Sequence, residues 1–334
     1  MRLGTSLMYA GDPRSTADQV ASWEQAGLDV VWVAEAYGFD APTIMGYLAA
    51  RTERVKIGSS ILPLYSRTPA LLAQTAAGLD AMSGGRAILG LGASGPQVIE
   101  GWHGVRYDKP VARTRETIEI CRAAWRREPL VHDGLYQLPR PGGLGKPLKL
   151  LTHPVRDRIP IYVAALGEAN VRMTAEVADG WIPFMYVPEK AADVWGSALA
   201  ARSPSLPPLE VVAGGLLAIG DDVTDLRDLG RPMIALYVGG MGARGRNFYH
   251  DLVSRYGYAA EADKIQELYL SGRKAEAAAA VPAELLERTS LIGPESYVRD
   301  RIAAYRESGV TVLNVTPIGD DSISLIARVK EMLT

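Results

Sequence analysis

Apolar positions along the chain fall into two patterns that alternate. Continuous apolar runs, of which "DVVWVAE" (29–35) is a clear example, are typical of strands buried on both faces of a parallel sheet. These runs are followed by stretches with helical spacing, as in "STADQVASWEQAG" (15–27), where Val20 and Trp23 share one face. The fourth run, "RAILGLG", ends at Gly92. This order predicts consecutive strand–helix–strand units.

Eight runs of the first kind can be counted, and a helical stretch follows each of them. The four later ones are "IPIYVAALG" (159–167), "WIPFMYV" (181–187), "LEVVAGGLLAIG" (209–220) and "VTVLNVTP" (310–317). Eight strand–helix units favour a closed (β/α)8 barrel, the TIM barrel, over an open sheet. We therefore expect an α/β fold in which residues 1–334 form a single barrel domain with insertions.

Two segments depart from this rhythm. Residues 128–158 are dense in proline and glycine and predict an insertion segment with no further strand–helix unit. Residues 240–292 are helical in pattern and rich in alanine, and they predict a helical insertion lobe that closes over the substrate. Four glycines at its start predict a mobile loop: Gly239, Gly240, Gly242 and Gly245.

Composition narrows the class of protein. The chain has a net charge of −2 and no basic tail, so nucleic acid is not an expected partner. Its four histidines are scattered without metal-ligand spacing, and we expect no metal. A single cysteine, Cys121, excludes a disulfide within the chain, and the polar N-terminus predicts neither a signal peptide nor a membrane span. We expect a cytoplasmic protein with no membrane partner.

The stretch "LGLGASGPQ" contains a match to the dinucleotide motif G-x-G-x-x-G at Gly90, Gly92 and Gly95. In a Rossmann fold this motif follows the first strand, with an acidic residue about twenty positions later at a strand end. Here the glycines follow the fourth strand, and Glu116 and Glu119 lie inside a predicted helix. The context disfavours a Rossmann site. At the carboxyl end of a barrel strand, the glycines either let backbone approach a flat ligand or form a turn without a ligand.

Four long stretches carry a resemblance to a known family. They are "AGLDVVWVAEAYGFDA", "RVKIGSSILPLYSRTPALLAQTAAGLDAMSGGRAILGLGASGPQVIEGWHG", "IPIYVAALGEANVRMTAEVADGW" and "ESGVTVLN". In this order they resemble the bacterial luciferase-like family, and within it the branch that uses coenzyme F420, a deazaflavin. The resemblance implies a TIM barrel with insertions, a deazaflavin or flavin at the barrel mouth, and hydride transfer.

The resemblance also implies which residues would contact the cofactor. They are Tyr9, Tyr37, Ser60, Ile61, Gly92, Ala93, Ser94, Gly95, Gln97, Val98, Ala164, Ala165, Leu166 and Gly167. The family has a non-proline cis peptide at the position of Ser60–Ile61, and the loop 164–167 matches the one that holds the phosphate. The residues support this last site independently, because a strand ends and a helix begins there, which leaves N–H groups for an anion. A plain turn of small residues is the alternative.

Glu35 directly follows the second strand, where the resemblance implies a residue that faces the ring or the substrate. A carboxyl group with apolar neighbours at a barrel mouth can serve as a proton donor, so Glu35 is the candidate catalytic residue. The alternative is that Glu35 only orients the backbone of its loop. Arg67, Lys109 and Arg113 either meet the coenzyme's polyglutamate tail or are ordinary surface charges.

The function predicted from these observations is an F420-dependent oxidoreductase. Reduced F420 would deliver a hydride from its C5 to a C=C or C=N bond of a small organic substrate, or accept one in reverse. The fourth-strand loop "GASGPQVIE" lacks the acid and asparagine of the sugar-phosphate dehydrogenases in this branch, so such a substrate is not expected. The alternatives are an FMNH2- and O2-dependent monooxygenase and a non-catalytic deazaflavin-binding protein. We also expect a homodimer.

Overall fold

A computed structural model describes residues 1–7 and 12–334. Within these residues eight parallel strands close into a barrel: β1 (Arg2–Leu7), β2 (Val30–Val33), β3 (Lys56–Ser59), β4 (Ala87–Gly92), β5 (Ile161–Ala164), β6 (Gly180–Ile182), β7 (Glu210–Ala213) and β8 (Val312–Asn314). Each strand pairs with the next, and β8 pairs with β1 through Arg2 and Val312. The predicted (β/α)8 barrel is confirmed.

Helices surround the strands. In chain order they are α1 (Pro13–Gln25), α2 (Ala41–Arg51), α3 (Pro69–Met82), α4 (Pro96–Gly101), α5 (Pro110–Trp125), α6 (Glu168–Val177), α7 (Pro188–Leu199), α8 (Arg231–Ala235), α9 (Phe248–Arg255), α10 (Ala259–Leu270), α11 (Lys274–Ala279), α12 (Ala283–Arg288), α13 (Glu295–Glu307) and α14 (Ser322–Leu333). A 3₁₀ segment (Thr224–Gly230) and a π-helical turn (Leu236–Gly240) flank α8. None of the helices in the described residues is long and apolar enough to span a membrane.

The barrel interior is packed below its mouth. Its inner cluster consists of Val30, Trp32, Ile88, Tyr162, Val212 and Val312. The rings of Trp32 and Tyr162 lie 5.5 Å apart between centroids and fill the middle of this cluster. A larger apolar core lies between the strands and the helices. The interior is therefore a solid plug, and space for a ligand is confined to the carboxyl ends of the strands.

The segment between α5 and β5 contains a short antiparallel hairpin of His132–Asp133 and Gln137–Leu138. The carboxylate of Glu116 on α5 accepts hydrogen bonds from the backbone N–H groups of Leu135 and Tyr136, at 3.1 and 3.0 Å. Burial opposes ionisation of Glu116, but these hydrogen bonds outweigh it and lower the pKa of this carboxyl. The hairpin is thereby fastened to the outside of the barrel.

Short strands outside the barrel add three further pairings. Leu216–Ile219 pairs with Leu291–Gly293 on one side and Thr316–Pro317 on the other. Leu62–Pro63 pairs with the end of β4. The three-stranded sheet brings together the residues that precede and follow the segment that holds helices α8 to α12.

The mobile loop predicted from glycines is wrong at Gly239 and Gly240. Both lie in the π-helical turn and pack against the ring of Tyr269. A β-carbon at Gly239 would lie 2.8 Å from Tyr269 Cγ, and one at Gly240 would lie 3.0 Å from Tyr269 Cδ1. The two glycines are there because the turn and the ring are in close contact. Gly245, with φ of +71°, does occupy a turn that favours glycine.

Candidate active site at the barrel mouth

Short side chains occupy the adjoining ends of three neighbouring strands. Ser60 follows β3, Gly92 ends β4, and Ala164 ends β5. A β-carbon at Gly92 would lie 2.8 Å from Ile61 Cγ1 and 3.5 Å from Ala164 Cβ, so these residues adjoin one another. This side of the mouth is therefore a shallow surface of small groups above the packed plug.

The peptide bond between Ser60 and Ile61 is cis, as the sequence resemblance implies. Ile61 is half-buried and reaches the end of β4 at Gly92. In the loop that follows β4, Ala93 is buried, and Ser94 has φ of +58°. Two of the predicted cofactor contacts lie on α4 and differ in exposure: Val98 is buried, whereas Gln97 is exposed to solvent.

The three glycines of the G-x-G-x-x-G match have different roles. Gly90 lies inside the sheet, where Ser59 Oγ accepts a hydrogen bond from Gly90 N (2.9 Å) and donates one to Gly90 O (2.8 Å). A β-carbon at Gly90 would overlap the carbonyl oxygen of Ser59. Gly95, the residue before α4, has only Gln97 near it, at 3.7 Å from such a carbon. Gly90 therefore permits the close approach of β3 and β4 and is unrelated to a ligand.

Glu35 is buried, with 6% of its surface exposed. Its two carboxylate oxygens accept hydrogen bonds from Arg67 Nη1 and Nη2 at 2.6 and 2.7 Å. One of these oxygens also accepts from the backbone N–H of Ala41 at 2.9 Å. Both oxygens of Glu35 are thus engaged in holding the loop between β2 and α2 against the loop after β3.

Arg67 completes this network. Its Nη2 also donates to Asp40 Oδ1 at 2.6 Å, and its side chain is only 12% exposed. The hydrogen bonds to Glu35 are the largest reason that the pKa of the Arg67 guanidinium is raised. Arg67 is therefore not an ordinary surface charge but a largely buried ion-pair partner, and its contact with the coenzyme's tail stays a prediction. Nothing in the sequence pattern links positions 35 and 67, which meet only when the barrel closes.

Tyr37, two residues beyond Glu35, is 63% exposed at the rim of the mouth. Tyr9, the other tyrosine expected at the cofactor, lies outside the described residues. In the segment between α4 and α5, Arg113, at the start of α5, forms an ion pair with Asp108 (2.7 Å), whereas Lys109 is exposed. Glu100 is exposed and accepts a hydrogen bond from Tyr107 N at 3.0 Å. The loop after β4 is thus held by local contacts.

The loop from Ala164 to Gly167 leads from β5 into α6. The indole N–H groups of Trp181 and Trp195 donate to the carbonyl oxygens of Ala165 (2.8 Å) and Leu166 (2.9 Å). Both carbonyls are thereby bonded to core tryptophans. Within the described part of the chain, no side chain caps α6, so its first N–H groups are available to an anion. The sequence pattern gives the open helix start but not the two tryptophan contacts.

Two polar atoms in the throat below the mouth have no partner among the described residues. They are Trp32 Nε1, a donor, and Asn314 Oδ1, an acceptor, and both are buried. A β-carbon at Gly4 would lie 3.2 Å from the first and 3.3 Å from the second, so the two atoms face the same small space. Asn314 Nδ2 donates to Ser6 Oγ at 2.9 Å. Both atoms are enclosed, so this unsatisfied pair lies beside Gly4 inside the barrel.

Comparison with known proteins identifies the family. Residues 1–312 match the model of the luciferase-like monooxygenase family. The chain belongs to this family. A Mycobacterium tuberculosis protein assigned as a coenzyme F420-dependent oxidoreductase is 44% identical to it over 329 residues, which cover 95% of each chain. The luciferase-like family and its F420-dependent oxidoreductase branch, inferred from the sequence stretches, are confirmed.

Solved structures of this family share the whole architecture. The coenzyme F420-dependent tetrahydromethanopterin reductase of Methanopyrus kandleri aligns with a TM-score of 0.81 over 99% of this chain and 97% of its own, at 23% identity. An F420-dependent secondary alcohol dehydrogenase, in complex with an F420–acetone adduct, aligns with a TM-score of 0.71 over 100% and 99%, at 20% identity. At these identities the two structures establish the fold, and the chain is a luciferase-like barrel enzyme.

Proposed function

We propose that this protein is an F420-dependent oxidoreductase that transfers a hydride between the deazaflavin C5 and a small organic substrate, in the direction that reduces a C=C or C=N bond. The observation that carries the proposal is the pairing of two features at one mouth. A surface of small groups at Ser60, Gly92 and Ala164 adjoins the uncapped start of α6. The first suits a flat ring and the second suits a phosphate.

The residues present fit such a cofactor. The small groups at Gly92 and Ala164 leave room for a flat ring, with Ile61 as a larger apolar side chain beside them. Ile61 and Gly92 would lie against the ring, and the N–H groups at the start of α6 would hold the phosphate. The 44% identical relative supports F420 over other flat cofactors.

When bound, the cofactor supplies the hydride, and the protein binds, orients and excludes water. We assign Glu35 the role of orienting residue, which was the alternative to proton donor. Its oxygens already accept hydrogen bonds from Arg67 and Ala41, and they thereby fix the loop that carries Tyr37.

Isotope transfer tests the reaction. Reduced F420 carrying two deuterium atoms at C5 is mixed with the purified protein and an acceptor, cyclohex-2-en-1-one for C=C or a cyclic imine for C=N. We expect deuterium at the carbon that receives the hydride, measured by mass spectrometry. Reduction without label in the product would contradict direct transfer. Cofactor binding without turnover of any acceptor in a broad panel would favour a non-catalytic carrier.

An FMNH2- and O2-dependent monooxygenase is the second candidate, favoured by the description of the matching family. Incubation with FMNH2 and isotopically labelled dioxygen distinguishes it, because a monooxygenase places one labelled oxygen atom in the product. We expect no such product. The same acceptor panel serves both assays.

The phosphate site gives a separate prediction. Gly167→Asp places a negative charge beside the start of α6, where φ of −67° and ψ of 143° suit an aspartate. We expect F420 to bind about tenfold more weakly or worse, since like charges brought together cost binding free energy. The deazaflavin FO, which lacks the phosphate, should bind equally well to both proteins.

Gly167→Ala is the matched control. A β-carbon here meets only the Phe248 ring, at the ordinary distance of 3.6 Å, and adds no charge. Fluorescence titration with F420 and FO gives two dissociation constants for each variant and for the wild-type protein. Equal losses for F420 and FO in Gly167→Asp would show that the phosphate is not held at this loop.

A further inference from the structure

Three aromatic rings form a cluster beside the mouth. Phe184 follows β6, and its ring centroid lies 4.4 Å from that of Tyr237 and 5.8 Å from that of Tyr249. Tyr237 and Tyr249 are 4.8 Å apart at an interplanar angle of 71°. All three rings are half-buried and pack against the core. Each ring therefore has a covered part and an open part.

A buried amide fixes two of these rings. Asn247 is 1% exposed, and its Nδ2 donates to the carbonyl oxygens of Tyr237 (3.0 Å) and Val238 (2.8 Å) in the π-helical turn. Its Oδ1 accepts from the backbone N–H groups of Tyr249 (2.9 Å) and His250 (3.3 Å) at the start of α9. One side chain thus joins the segment that carries Tyr237 to the helix that carries Tyr249.

The cluster lies over the mouth and not on a remote face. Tyr37, on the loop after β2, is close enough to Tyr237 to influence its ionisation. Phe248, the first residue of α9, lies next to Gly167 on the loop after β5. Because β2 and β5 are on different sides of the barrel, the π-helical turn and α9 extend across its opening.

The three rings of the cluster carry no charge at neutral pH. Burial, followed by the neighbouring Tyr37, raises the pKa of Tyr237, so that its phenol keeps its proton at neutral pH. Rings at these angles present both faces and edges, which attract another planar group by offset and edge contacts. A saturated group of equal size would also bury apolar surface there, but it would not make the offset and edge contacts of a planar ring.

We propose that Phe184, Tyr237 and Tyr249 bind a planar, uncharged aromatic or conjugated part of the substrate, and that Asn247 positions the two tyrosines. The substrate class inferred here rests on the proposed function, in which the same mouth holds the cofactor. Asn247 is a positioning residue because it acts through the two tyrosines.

The test compares two uncharged ketones with the same carbon skeleton, acetophenone and cyclohexyl methyl ketone. Their dissociation constants are measured by ligand-observed NMR on the full-length protein, with and without oxidised F420. We expect the wild-type protein to prefer acetophenone about fivefold. Asn247→Asp keeps an acceptor for the α9 N–H groups but cannot donate to the π-helical turn, and should bring the preference close to one.

Two further variants keep the test decisive. Tyr237→Leu removes a ring directly and should also abolish the preference, even if Asn247→Asp does not fold. Ser254→Ala, on the same helix, removes only a hydrogen bond to His250 O (2.9 Å) and should retain the preference. Equal preference in wild type and both test variants, or no preference in wild type, overturns the proposal. Failure of F420 to bind would overturn the proposed function alone, since the ketones are also titrated without it.

Discussion

Gly90→Ala is expected to destabilise the barrel by more than about 4 kcal/mol, an effect seen only for severe steric or electrostatic damage. The added carbon would overlap the Ser59 carbonyl oxygen and lie 2.8 Å from the carbonyl carbon. Both are backbone atoms of a neighbouring barrel strand, so relief requires β3 and β4 to separate. Separation would also break the two hydrogen bonds between Ser59 Oγ and Gly90.

Gly95→Ala is the matched control from the same motif. Its φ of −120° suits any residue, and the nearest atom to an added carbon is 3.7 Å away. We expect a loss of less than about 1 kcal/mol, the scale of a weakened helix cap. Urea unfolding followed by circular dichroism gives both values. Similar losses of unfolding free energy in Gly90→Ala and Gly95→Ala would show that Gly90 is not required for the close packing of β3 against β4.

Arg67→Met is expected to cost about 3–5 kcal/mol of stability, because it leaves the buried carboxylate of Glu35 without its partner. Glu35→Gln should cost less, since Arg67 keeps its ion pair with Asp40 at 2.6 Å. The double variant Glu35→Gln/Arg67→Met should recover part of the loss in Arg67→Met. Chemical denaturation of all four proteins closes this cycle.

The barrel could be predicted from the sequence because continuous apolar runs and helical spacing are local patterns. Each of the eight predicted runs overlaps one of the strands β1 to β8, although the runs 181–187 and 209–220 extend well beyond β6 and β7. The cis bond at Ser60–Ile61 came from the resemblance, since no local pattern indicates it. The free N–H groups at the start of α6 could also be predicted, because the sequence places a helix directly after a strand.

The remaining features of the mouth depend on contacts between distant positions. Arg67 meets Glu35, and Asn247 meets Tyr237, only after the loops fold over the barrel. Gly239 and Gly240 looked like loop residues because composition does not distinguish a flexible turn from one packed on a ring. Local sequence patterns predict the strands and helices. These side-chain partners depend instead on how the barrel closes and on the course of the segment that holds helices α8 to α12.

Equilibrium binding of F420 and FMN to the purified protein tests the central claim most directly. Each cofactor is titrated separately, and quenching of its fluorescence gives the dissociation constant. The account predicts a dissociation constant for F420 of about 1 μM or lower, and binding of FMN about a hundredfold weaker or worse. Tight binding of FMN together with no detectable binding of F420 would contradict it.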